Sequence, residues 1–152
     1  MGNEFENDQG DIRQLVGRLS DGGRDLDRTL MALRARLNAH EVAAQVHVYP
    51  ELIRARSEFT SMVHNREIEF RDIDSQLRSV ELANGSGFAD EVSQLTDVVD
   101  RQFAYENEMM SLLAQQVSSQ RFDEVERQFG SRRDAELKSM ESSGQAGIEP
   151  TS

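Results

Sequence analysis

The stretch Leu37-Asn-Ala-His40-Glu41-Val-Ala-Ala44-Gln-Val-His47-Val-Tyr49-Pro50 carries two of the chain's three histidines, seven residues apart. That spacing is two helical turns, so both imidazoles lie on one face. An inward-facing imidazole either ligates a metal ion together with carboxylates from neighbouring helices, or sits in the core as a neutral ring with a hydrogen-bond partner. The stretch returns in outline 61 residues later as Val98-Val-Asp-Arg101-Gln-Phe-Ala-Tyr105-Glu106-Asn-Glu-Met-Met-Ser111, with Arg101 and Tyr105 standing where the first has His40 and Ala44. Other reactive constellations are missing. There is no cysteine, so neither a thiolate site nor a disulfide framework exists. No glycine-rich phosphate loop occurs, and no serine has a nearby helical His and acid.

The elements that must position these residues read as helices. The first is expected over Glu4 to Leu19, with Phe5, Ile12, Leu15, Val16 and Leu19 on one face, ending at Ser20-Asp-Gly-Gly23. The second carries Leu26, Leu30, Leu33, Leu37, His40, Ala44 and His47 in alternating steps of four and three, the seam of a bundle helix. Pro50 ends or kinks it near Tyr49, because proline lacks the amide proton and clashes with the preceding turn. A third helix is expected over Glu58 to Leu82, with Phe59, Met62, Val63, Phe70, Ile73, Leu77 and Val80 inward, closed by Asn84-Gly-Ser-Gly87. A fourth follows over Phe88 to Val117, and a shorter fifth over Phe122 to Met140. No period-two alternation supports a strand. The fold class is therefore all-α, one domain over residues 4 to 140, with flexible tails at 1 to 3 and 141 to 152.

Composition narrows the partners. Seventeen Lys and Arg against 28 Asp and Glu leave a net charge of −11, which repels phosphate backbones and argues against nucleic acid. No apolar run approaches the ~20 residues that span a bilayer, and Met-Gly-Asn-Glu-Phe-Glu has neither the basic flank nor the apolar core of a signal peptide. A soluble, cytoplasmic protein without a membrane partner is expected.

In order and spacing these residues resemble the hemerythrin-like, or HHE cation-binding, domains over roughly residues 5 to 130. Asp8-Gln9 followed by Ile12, Leu15 and Val16 is similar to the family's first element, and His40 with Tyr49-Pro50 to its second. Glu69-Phe70 followed by Ile73 and Leu77 is similar to the third, and Arg101 to Leu113 to the fourth. Gln9 to His40 and Phe70 to Arg101 both span 31 residues, which supports this register. The resemblance implies an antiparallel, up-down four-helix bundle with a short fifth helix. It also places Gln9, His40, Ala44, Phe70, Arg101 and Tyr105 at the metal-facing positions.

Only His40 among these keeps a ligand of the family. Ala44 and Phe70 supply no donor, and a guanidinium at Arg101 would put a permanent positive charge where divalent ions sit. The diiron centre is expected to be lost, with Glu41 or Glu106 pairing Arg101 across the old cavity, Phe70 and Tyr105 filling volume, and His40 bonded to Tyr105 or Gln9. A second register, Gln102-x-x-x-Glu106, would replace the fourth element at the expense of the match over 107 to 113, and ranks below the first. The expected function is a non-enzymatic binding or interaction module without cofactor. Its partner would be a protein or a small polar molecule touching Arg101, His40 and Tyr105, and homo-oligomerisation is open. The competing expectations are a reorganised iron site from His40, His47 and His64 with nearby glutamates, serving oxygen, nitric oxide or iron handling, and an unrelated coiled coil of two long helices.

Overall fold

In a computed structural model describing residues 3–21 and 25–148, the chain forms six α-helices, with no strand among the described residues. They are α1 (Glu4–Asp21), α2 (Leu26–His47), α3 (Tyr49–Ala55), α4 (Thr60–Leu82), α5 (Gly87–Gln116) and α6 (Ser119–Ile148). Each expected helix is present. The proline acts as expected: α2 stops at His47, Val48 serves as the joint, and Pro50 sits in the first turn of α3, where its missing N–H costs nothing. A single 3-10 turn, Ser57–Phe59, leads into α4. Between α4 and α5 the chain reverses at Gly85, whose φ of 62° lies in the left-handed region open to glycine.

One expectation at the C-terminus is corrected. The fifth long helix is not short: α6 runs for 30 residues, as many as α5, and packs along α2 and α1 as a full member of the assembly. Its backbone is helical through Ile148, while residues 1, 2 and 149–152 lie outside the described residues, as does the Gly22-Gly23 break. The sequence from Val125 to Phe129 explains the docking of α6. Both side chains are fully buried, one turn apart on the same face. Gly130 beside them lets the helix backbone approach Glu4, since a Cβ there would lie 2.8 Å from that side chain's carboxyl carbon.

The core is layered. One apolar cluster is built from Ile12, Val16 and Leu19 of α1, Leu30, Leu33 and Leu37 of α2, Ile73, Leu77 and Val80 of α4, and Val92 to Phe103 of α5. A second is built from Phe5, Ala43, Ala44, Val48, Tyr49 and Leu52, with Val63, Met109, Leu113, Val125 and Phe129. Along each helix the sequence between the two clusters is polar and buried: Asp8 and Gln9 on α1, His40 and Glu41 on α2, Arg66 on α4, Glu106 on α5. No helix is long and apolar enough to cross a membrane among the described residues.

Candidate functional site

The polar layer between the two apolar clusters is a chain of alternating charges. Arg36 donates from Nη1 to Asp8 Oδ1 at 2.9 Å, and His40 donates from Nδ1 to Asp8 Oδ2 at 2.6 Å. The other ring nitrogen, Nε2, lies 2.8 Å from Glu106 Oε1, which also accepts from Gln9 Nε2 at 3.1 Å. Glu106 Oε2 accepts from Arg66 Nε at 2.8 Å and from Arg66 Nη2. Arg66 Nη2 is 3.5 Å from Glu41 Oε1, and the Tyr49 hydroxyl donates to that same oxygen at 3.4 Å. Arg133 adds a further cation 3.7 Å from Asp8. The order is therefore Arg36, Asp8, His40, Glu106, Arg66, Glu41, each cation followed by an anion.

Burial makes that alternation necessary. Asp8 and Arg66 are 0% exposed, and His40 and Glu106 1%. An unpaired ion in such a place costs several kcal/mol after relaxation, so a buried charge persists only with close counter-charges and satisfied hydrogen bonds. Aromatic rings seal the layer. The His40 ring lies 4.9 Å from that of Phe5, 5.3 Å from Phe129 and 5.7 Å from Phe103, and the Arg66 guanidinium sits 5.5 Å over the ring of Phe70. Two buried polar atoms in or beside the layer, Arg66 Nη1 and Gln102 Oε1, have no hydrogen-bond partner among the described residues.

The protonation states follow from this geometry. Burial pushes the His40 pKa down, but Glu106 and Asp8 outweigh it and raise it to about 10. Burial pushes Glu106 up, yet His40 and Arg66 pull it down to about 2. At neutral pH the pair is an imidazolium against a carboxylate, and the expectation of a neutral imidazole is corrected. Glu41 moves the other way: burial raises its pKa, with Glu106 adding to the rise, and Arg66 only partly offsets it. Burial and the neighbouring carboxylates likewise hold the Tyr49 phenol well above its ordinary range.

Of the residues assigned to the family's ligand positions, the structure brings Gln9, His40 and Ala44 into the buried interior. Phe70 is half-buried as the platform beneath Arg66, and Tyr105 is half-buried with its hydroxyl donating to the Met62 carbonyl at 3.3 Å. Arg101 is exposed on α5, so it neither occupies the core nor pairs there. The buried guanidinium is Arg66, and it takes the two glutamates, Glu41 and Glu106, assigned above to Arg101. His40 likewise bonds Asp8 and Glu106 rather than Tyr105 or Gln9. On α5 the inward pair is Gln102 and Glu106, the lower-ranked register.

The signal for Arg66 and Glu106 was present as gaps. On α4 the inward series jumps from Val63 to Phe70, and Arg66 fills it at steps of three and four. On α5 the series jumps from Phe103 to Met109, and Glu106 falls midway.

Metal ligation does not fit these donors. Both ring nitrogens of His40 are engaged by carboxylates, and the permanent charge of Arg66 lies against Glu106, where a cation would be repelled. His64 is exposed on α4 and His47 half-buried on the flank of α6, so the three histidines do not converge. Among the described residues no group of three or more His, Cys, Asp or Glu side chains is arranged to hold an ion. The chain matches no protein-family model, no curated protein and no solved structure.

Proposed function

We propose that this protein is a non-enzymatic binding module: an antiparallel, up-down bundle of hemerythrin-like ancestry in which an ionic chain stands where the family resemblance puts a diiron centre. The observation that carries this reading is the saturation of His40. Its two nitrogens face two carboxylates, and Arg66 donates to the other oxygen of Glu106. A histidine in that state is a proton donor on both sides and has no lone pair for a metal or for a reacting group.

The ancestry is supported by convergence. The elements compared above with the family's first, second and fourth meet at one carboxylate, Glu106, which takes hydrogen bonds from Gln9 of α1 and His40 of α2. The up-down arrangement is supported by the order of side-chain pairs. Asp8 meets His40 while Asp11 meets Arg36, and Glu41 meets Arg66 while Arg34 meets Glu81. Arg66 meets Glu106 while Gln76 meets Glu91. In each case the partner number falls as the other rises.

A partner contacting His40 directly does not suit this geometry, because the ring is sealed beneath Phe5, Phe103 and Phe129. Binding by such a module falls to its surface, with the ionic layer holding the helices in register beneath it. The test is metal content. Protein purified under iron-replete conditions is expected to carry no stoichiometric iron or zinc, and its melting temperature is expected to ignore either ion. Near-stoichiometric iron with an oxo-bridge absorption band would overturn the proposal.

A further inference from the structure

At the end of the molecule where α1 begins, a cavity of about 260 Å³ opens between α1, α5 and α6. Its walls include Phe5, Met110 and Phe122, and its polar lining includes Glu6, Asn107 and Glu126. Glu126 is the informative residue. The residue is only 4% exposed, one carboxylate oxygen accepts the Phe5 backbone N–H at 2.9 Å, and the other makes no hydrogen bond among the described residues and is reached by solvent. Burial pushes its pKa up, and Glu6, Glu4 and Asp123 push it further the same way by like-charge repulsion. Among the described residues no cation pairs with Glu126 itself. Arg133, which reaches Glu4, is committed also to Asp134 and Asp8.

We infer that this cavity binds an ammonium group on a short apolar stem, with the free oxygen of Glu126 as counter-ion and Phe5, Phe122 and Met110 around the stem. Three features select that class of ligand. A largely buried carboxylate with one oxygen left to solvent takes a donor from outside the protein, and a charged donor makes the stronger bond. Aromatic walls favour a cation over an anion, as does the net charge of −11. The volume lies below the usual range for drug-sized ligands, about 300–1,000 Å³, which suits a short alkylamine or a single lysine side chain rather than a cofactor. This deepens the binding-module reading and rests on it, but the site lies outside the ionic layer. Iron in the protein would leave the amine site standing, and a failed amine titration would leave the metal test unaffected.

The experiment is an amide-resolved NMR titration of the full chain with n-butylammonium chloride, n-butanol and N-acetyl-lysine methylamide. Saturable shifts confined to the residues around Phe5, Asn107, Phe122 and Glu126 are expected, with a Kd of about 1 mM for the better amine and none for the alcohol. Tighter binding of butylammonium assigns a free amine, and tighter binding of the capped lysine assigns a partner's side chain; either supports the site. Glu126→Gln keeps an acceptor for the Phe5 N–H and the residue volume while removing the charge, so it should melt near the wild type and bind the amine about tenfold more weakly. If that variant melts well below the wild type, Glu6→Gln is the second variant, with weakened amine binding expected from it too. The inference is overturned by equal binding of butanol, by unchanged affinity in the charge-removing variant that retains the fold, or by no shifts at about 10 mM amine.

Discussion

His40 is expected to stay protonated far above the pH at which a free histidine gives up its charge, and the stability of the fold should follow. The rise from 6.5 to about 10 in a fully buried group corresponds to about 5 kcal/mol of differential stabilisation. Its sign is fixed by linkage: a raised pKa contributes stability that is fully present below pH 6.5 and is lost as pH climbs to about 10, because the unfolded chain releases its proton first. Glu106, lowered from 4.5 to about 2, acts oppositely, with stability present above pH 4.5 and lost as pH falls toward 2. The two figures describe one interaction seen from both partners and are not summed. For a domain of this length, with total stability in the range of about 5–15 kcal/mol, the alkaline loss is a third or more. It should lower the melting temperature by about 10–20 °C between pH 6.5 and 10. The assays are thermal melts across that window for the wild type and His40→Gln, and imidazole chemical shifts by NMR. In the variant the alkaline decline should flatten, since the group that binds the proton is gone. An NMR inflection for His40 near pH 6.5, or parallel melting curves for the two proteins, would refute the argument.

The two arginines separate the two registers: Arg66→Met is expected to cost about 3–5 kcal/mol, because it strips Glu106 and Glu41 of their shared cation, whereas Arg101→Met should stay within about 0.5 kcal/mol. Denaturant titration of both variants decides it, and comparable losses would return Arg101 to the core. Combining Arg66→Met with Glu106→Leu should cost less than the sum of the single changes, since the pair leaves together; an additive result in the double-mutant cycle would show that the two do not interact. Phe129→Ala should cost about 3–5 kcal/mol in a single cooperative transition, because α6 is part of the core; a small loss, or a separate early transition, would make α6 an appendage.

Much of the architecture was legible as period. The four-and-three spacing of Leu26 to His47 and of Ile73 to Val80 marks buried faces that the structure keeps, and Pro50 and Gly85 mark joints where they fall. What misled was the treatment of charge as a sign of exposure. Arg66 and Glu106 occupy inward steps of their helices, but a single arginine or glutamate in a sequence rich in both carries no mark of burial, since these residues are normally outside. The register error on α5 had the same root. Placing Arg101 31 residues after Phe70, as His40 follows Gln9, put the exposed position inward, and shifting by one residue brings Gln102 and Glu106 into line with Val99, Phe103 and Met109. Length was the other failure. The sequence after Leu137 loses its apolar period and carries Ser142, Ser143, Gly144 and Gly147, which are weak helix formers, yet helical backbone continues to Ile148.

The ionic layer also bears on how the bundle avoids its alternatives. Apolar layers of Leu, Val and Ile are interchangeable to first order, so two helices sliding by one turn would trade one leucine contact for another at small cost. A layer in which each cation must meet an anion within hydrogen-bond reach has no such freedom. Sliding α5 by one turn would carry Glu106 away from both His40 and Arg66, leaving two buried cations against one another at a cost of several kcal/mol. Buried polar positions set register in coiled coils by this means. Here every helix that reaches the layer commits to it: α1 through Asp8, α2 through His40 and Glu41, α4 through Arg66, α5 through Glu106 and α6 through Arg133. The layer therefore ties the N-terminal turns of α1 to the middle of α6. Because Phe5 lies both over His40 and in the wall of the amine cavity, the same layer holds that wall in place.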